Sequence, residues 1–196
     1  KCTLSLLNSD ETIQAVKTLS APWPAAKKYI QENADARMYE SGSNGCLEQT
    51  FEGSGCSLIR LDLFSNSNKQ WTFAIENIRC SLVFVLNAGI KVKTNSQQQF
   101  LAQGFIGLLN LEDLSTLQIE CTTFYTRLLF VNFSKSFTEQ QGFVSHELLA
   151  LLDDNKNAVA VCSGKISKCS FLQLDKITSF NGLKVFLPTY IAARAT

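Results

Sequence analysis

The side chains able to do chemistry in this chain are few, and their spacing limits what they can do. The sequence holds one histidine, His146, and seven cysteines among its 196 residues. A metal-dependent β-barrel needs several inward imidazoles and a carboxylate, because those donors suit first-row divalent metals. No histidine lies in the stretches that read as strands, and His146 sits beside Glu147 in an expected helix. There a lone imidazole fits a surface or interface role better than ligation. The same His146 would have to serve any Ser-His-Asp or Cys-His arrangement, and no G-x-S-x-G elbow accompanies it. Cys162 and Cys169 come nearest to a ligand pair, and there is no C-x-x-C. Glu76, Glu112, Asp113 and Glu120 are candidate acids or bases, but they fall mostly at expected turns, where solvated charge is ordinary. Gly42, Gly45, Gly53 and Gly55 flank strands and open no helix, so no phosphate loop is expected. These patterns predict no catalytic residue, no metal and no cofactor: the chain reads as a protein other than an enzyme.

Binding is the chemistry that remains. Trp71, Phe73, Phe84, Phe105, Phe130 and Phe133 could line a pocket, although each aromatic is more ordinarily core filling. Arginines on apolar strands say more, because a buried guanidinium without a partner is costly. Arg127, inside Phe124-Tyr125-Thr126-Arg127-Leu128-Leu129-Phe130, is expected to anchor either a ligand or the fold. The candidate ligand set is therefore Arg60, Trp71, Phe73, Arg79, Phe84 and Arg127.

Composition narrows the classes further. Hydrophobic residues make up 45% and charged residues 18%, as in a globular domain. The net charge of +1 lacks the long-range attraction of a nucleic-acid binder. Lys27-Lys28 is an isolated basic pair, and Lys91 and Lys93 alternate along one expected strand. No apolar run approaches the ~20 residues that span a bilayer. The N-terminus has no apolar stretch with a cleavage site. An odd, irregularly spaced set of cysteines, several of them in apolar runs (Cys80, Cys121 and Cys162), suits reduced structural thiols in a cytoplasm.

The elements that must position the candidates follow from periodicity. Residues 1–41 are expected as a helical arm, with Ile13, Val16 and Leu19 on one face before Pro22-Trp23-Pro24. Trp23 would pack on the sheet or belong to a moving arm. From residue 42 to 137 the pattern becomes short β-branched and aromatic runs separated by turns. Strands are expected over 46–51, 58–63, 71–75, 80–86, 90–93, 97–101, 105–109, 117–121 and 125–133, the last two as a pair. Such spacing argues for an antiparallel sandwich or barrel. Residues 138–196 are expected to be helical, through Phe143–Leu152, a helix capped by Ser170, and a final stretch with no stop signal before Thr196.

This order of elements resembles the N-terminal sensor domain of AraC-type transcription regulators. The resemblance is carried by Leu82 to Gly89 (LVFVLNAG), Gln103 to Asn110 (QGFIGLLN) and Arg127 to Phe137 (RLLFVNFSKSF). The helical tail, with Phe171 to Ile177 and Leu183 to Arg194, is similar to the siderophore-responsive, PchR-like branch. Gln103 stands where the family's turn has proline. The resemblance implies a mainly β fold with C-terminal helices (α+β): a cupin-like antiparallel β-barrel or double sheet followed by a helical dimerisation segment. It further implies a small-molecule effector, a homodimer using Leu183, Phe186, Leu187, Tyr190 and Ile191, and no direct nucleic-acid contact by this stretch. DNA would be read by helix-turn-helix units following Thr196. The alternatives are a metal-free cupin-like isomerase or epimerase, and a small-molecule- or carbohydrate-binding module.

Overall fold

The protein was analysed as a computed structural model, which describes residues 2–7, 12–15, 34–41, 43–53, 55–65, 69–94, 97–140, 150, 152–154 and 160–168. In chain order the elements are β1 (Thr3–Leu6), β2 (Thr12–Ala15), β3 (Asp35–Ser41), β4 (Asn44–Glu52), β5 (Cys56–Phe64), β6 (Gln70–Glu76), β7 (Cys80–Val85), β8 (Ile90–Lys93), β9 (Gln98–Leu101), β10 (Phe105–Asn110), β11 (Thr116–Cys121), β12 (Tyr125–Phe133), α1 (Lys135–Gln140) and β13 (Ala160–Lys165). They form a five-stranded sheet, β1-β6-β11-β8-β9, and an eight-stranded sheet, β13-β10-β7-β12-β5-β4-β3-β2. Every strand pairing is antiparallel.

Period-two alternation decides which residues meet between the sheets. From the smaller sheet come Trp71, Phe73, Ile90, Val92, Leu117 and Ile119; from the larger come Ile59, Leu61, Val83, Val85, Leu128 and Phe130. These form one continuous core. The smaller sheet keeps a polar outer side, where Lys91 and Lys93 both donate to Glu120. That carboxylate pairs with both members of the alternating lysine pair.

The larger sheet is apolar on its outer side too. Phe51, Leu58, Phe84, Leu129 and Val131 make a second buried cluster there. β7 and β12 therefore bury both faces, which is why Cys80 to Leu86 lacks alternation. At the smaller sheet's free edge, Leu101 of β9 packs against Gly107 of β10, bringing the two sheets together.

Three expectations are corrected. Within residues 1–41 the helical reading gives way at 3–6, 12–15 and 35–41 to β1, β2 and β3, and Ile13 pairs with Tyr39 in a ladder, while residues 8–11 and 16–33 lie outside the described residues. The reason is the sheet edge: main-chain groups of β3 and β6 gain partners that an isolated short helix could not supply. The last two strands do not form a pair. β11 joins β6 and β8 in one sheet, whereas β12 joins β5 and β7 in the other. The stretch expected to be helical from residue 138 contains β13, which closes the free side of β10. The boundary after Phe137 also falls inside α1. Most of the remaining helical expectation, including residues 143–149 and the expected interface residues Leu183, Phe186, Leu187, Tyr190 and Ile191, lies outside the described residues, as does Trp23.

Because Phe130 is fully buried between Ile59 and Val83 on neighbouring strands, Phe130→Ala should cost about 3–5 kcal/mol. Urea unfolding followed by circular dichroism measures it.

Candidate functional site

The six residues expected to bind a ligand do not gather at one place. Trp71 and Phe73 are fully buried in the main core, and Phe84 lies in the second cluster, across the larger sheet. The aromatics act as core filling and do not converge on one pocket. The polar groups of Trp71, Ser65 and Thr126 lie near the buried Cys121 thiol. Burial pushes that thiol upward, and these three polar groups oppose the shift.

Arg60 and Arg127 do come together. On the outer side of the larger sheet they flank Asp62, which is fully buried. Arg60 Nε donates to Asp62 Oδ2 at 2.9 Å, and Arg127 Nε to Oδ1 at 2.7 Å. The Tyr125 hydroxyl also donates to Oδ1, at 2.6 Å, while its ring stacks on Phe64. The strand ladder sets this up by placing Arg127 directly across from Asp62, with Arg60 two residues along the same strand as Asp62. Two guanidiniums on one carboxylate make a fold anchor: removing the acid would strand both charges. Asp62→Ala is accordingly expected to cost roughly 3–5 kcal/mol, more than Arg60→Met, as urea midpoints will show.

Arg79 works elsewhere, at the end of the sheets where the chain leaves β12. Its guanidinium meets Glu112 at 3.3 Å, Asp153 at 3.1 Å and Glu139 at 3.9 Å, and donates to the Thr138 hydroxyl at 3.3 Å. Lys135 Nζ reaches the other oxygen of Glu112 at 2.7 Å. The exit is built from local sequence. Ser134 accepts the Phe137 N–H and so caps α1. Phe137 stacks on Phe133 and lies against Gly55, whose φ of +73° and 2.9 Å approach leave no room for a Cβ. Asn77, also at positive φ, turns the chain from β6 towards Arg79. Together these segments line an open groove of about 650 Å³, which is within the size range of ligand sites.

A third polar site was missed at the sequence level. Glu48 faces inward from β4 across from Arg37 of β3, and is 4% exposed. Burial raises its carboxyl from 4.5 to about 7, against the lowering influence of Arg37 and of hydrogen bonds with Tyr39 and Thr50. Tyr39 in turn is pushed up to about 12, by burial first and then by Glu48. Oε2 of Glu48 makes no hydrogen bond among the described residues. It borders a space of about 20 Å³ between β1 and the β3–β4 pair, enough for a water-sized group and no larger molecule. The signal was present in Cys46-Leu47-Glu48, since alternation puts Glu48 on the same side as the core residue Cys46.

Among the described residues no group of His, Cys, Asp and Glu is arranged to hold a metal ion. No described helix is long and apolar enough to cross a membrane. No protein-family model matches the chain, and no curated protein matches it. Solved structures do resemble it. One is the AraC-like transcriptional activator CuxR, at 6% identity over 100% of this chain and 67% of that one, with a TM-score of 0.49. ToxT from Vibrio cholerae is similar at 13% identity over 71% of this chain, with a TM-score of 0.45. This chain spans 54% of that ToxT chain. The EutQ protein of Clostridium difficile is similar at 10% identity, covering 64% of this chain and 95% of its own, with a TM-score of 0.38.

For Glu48 the pH dependence has a definite sign. A carboxyl whose folded pKa is raised from 4.5 to about 7 contributes stability that is full below 4.5 and lost as pH rises through 7. The span corresponds to about 3 kcal/mol. Glu48→Gln should remove that loss, so that the variant is the more stable protein above neutrality and its equal near pH 4; urea titrations across pH test this.

Proposed function

We propose that this chain is the effector-sensing and dimerisation part of an AraC-type transcription regulator. It would act in the cytoplasm and control an attached helix-turn-helix DNA-binding domain. One observation carries the reading. The three segments that bear the sequence resemblance occupy neighbouring positions in one sheet, β10-β7-β12, and the third runs directly from β12 into α1. A sensor must pass a change from a rigid sheet to helices, and Ser134, Phe137 and Arg79 tie α1 to the end of the sheets. Physically, the effector must favour one arrangement of that junction over another. CuxR and ToxT are compatible with this reading through their names and share no more than 13% identity with this chain. The PchR-like branch and dimerisation through Leu183, Phe186, Leu187, Tyr190 and Ile191 belong to the same proposal.

A second reading, a metal-free cupin-like isomerase or epimerase, is favoured by Glu48, a buried carboxyl that titrates near 7. The space beside it, about 20 Å³, admits no substrate. Regulation is the better account.

Sedimentation equilibrium should find a dimer that Leu187→Asp with Ile191→Asp converts to monomer. Fused ahead of a DNA-binding domain that binds only as a dimer, the chain should restore repression of a reporter, and the double variant should not. A strict monomer at millimolar concentration together with an inactive fusion would overturn the proposal.

A further inference from the structure

We infer that the groove at the strand-to-helix exit is a binding site for a small molecule bearing a carboxylate or phosphate group, with Glu112 holding its place in the free protein. The inference deepens the sensing role proposed above and rests on it only for the effect on α1.

Three observations carry it. First, the interior between the sheets is filled: Trp71, Phe73, Phe130 and Leu128 are each fully buried there. The larger space, about 650 Å³, lies at the end of the sheets. Second, the desolvated group in its wall is a cation. The Arg79 side chain is 8% exposed, and its Nε makes no hydrogen bond although Glu112 Oε2 stands 3.3 Å away. A buried N–H in that condition calls for a better-placed acceptor, and an anionic one gives the strongest bond. Third, Glu112 bridges Arg79 and Lys135 with its two oxygens, which is the geometry an external carboxylate or phosphate would reproduce. Glu139 and Asp153 also pair with Arg79, but neither lines the groove. A cationic ligand would have to sit against Arg79 and Lys135 and compete with both for Glu112, with Asp113 as the second acid in the lining.

The consequence is mechanical. Lys135 is the first residue of α1, and Ser134 is its cap. A ligand anion that takes over Arg79 and Lys135 releases Glu112 and re-ties the start of the helix. Ligand affinity and α1 position are then linked.

The test uses this chain and backbone amide NMR at constant ionic strength, with inorganic phosphate and succinate titrated separately and methylammonium as the cation control. Expected are saturable shifts at Asn77, Arg79, Ser134 and Lys135 with at least one anion, extending into Phe137 and Thr138. Comparing the two anions assigns the ligand to the phosphate or the carboxylate class. Glu112→Gln removes the internal competitor and should tighten binding about tenfold, whereas Lys135→Gln should weaken it by a similar factor. If Glu112→Gln disturbs the dispersed core resonances, Glu112→Asp, which withdraws the carboxylate by one methylene, should still tighten binding several-fold. Linear, variant-independent shifts with both anions would sink the proposal, as would saturation by methylammonium instead. Anion binding that persists in a chain found to be monomeric and inactive in the reporter would keep the site and remove only the regulatory reading.

Discussion

The constraint on which this structure depends is that its middle strands have no solvent face. β5, β12 and β7 lie side by side, with one buried cluster between the sheets and another on the far side. Every side chain on them must be apolar or fully compensated, since an uncompensated polar group in such a place costs several kcal/mol. Apolar ones dominate, and most of the exceptions are paired. Asp62 is held by Arg60, Arg127 and Tyr125. Asn132, Ser81 and Ser57 bond to one another across three adjacent strands, and Ser57 donates onward to the Cys2 carbonyl beside the first strand. The sheets are thus joined by packing and, at Ser57, by a polar chain that reaches the Cys2 carbonyl.

That same filling pushes function to the margins. A sandwich whose inside is occupied by Trp71, Phe73 and Phe130 can offer ligands only its ends and seams. Two such places carry unresolved polar character. At the seam beside β1, a carboxyl is caught without a full set of donors. At the exit to α1, a guanidinium is held by carboxylates at 3.1 to 3.9 Å that fit it imperfectly. Groups left short of partners beside a cavity are places where binding energy is available.

The strands were legible where burial produced a pattern. Expected runs such as 90–93 and 125–133 coincide with β8 and β12, because alternation at Ile90-Lys91-Val92-Lys93 and continuous hydrophobicity at Leu128–Val131 reflect one-sided and two-sided burial directly. Sheet membership was not legible. β11 and β12 are separated by three residues and still enter different sheets, a choice made by long-range packing and not by the intervening turn. β1, β2 and β13 escaped because edge strands of four to six residues draw their support from a neighbour's main chain, which leaves little trace in side-chain periodicity. Among the candidate residues, arginine on an apolar strand was a sound indicator of structural weight. It could not separate Arg127, which anchors the sheet, from Arg79, which guards its end. Glu48 was overlooked because a single acid in Leu47-Glu48-Gln49-Thr50 looks like a solvent-facing residue until its inward register is known.

The buried thiols have a consequence for how this protein can be observed. Cys2, Cys46, Cys56, Cys80 and Cys121 are all buried thiols in no disulfide, and they are distributed over five strands or strand margins in both sheets. Burial keeps Cys56 and Cys80 protonated, each at about 11, so at these two positions an alkylating reagent finds almost no thiolate while the sheets stay closed. Each sulfur becomes reactive only when its own strand opens. These five cysteines are therefore internal clocks, and the order in which they become labelled traces which strands separate first.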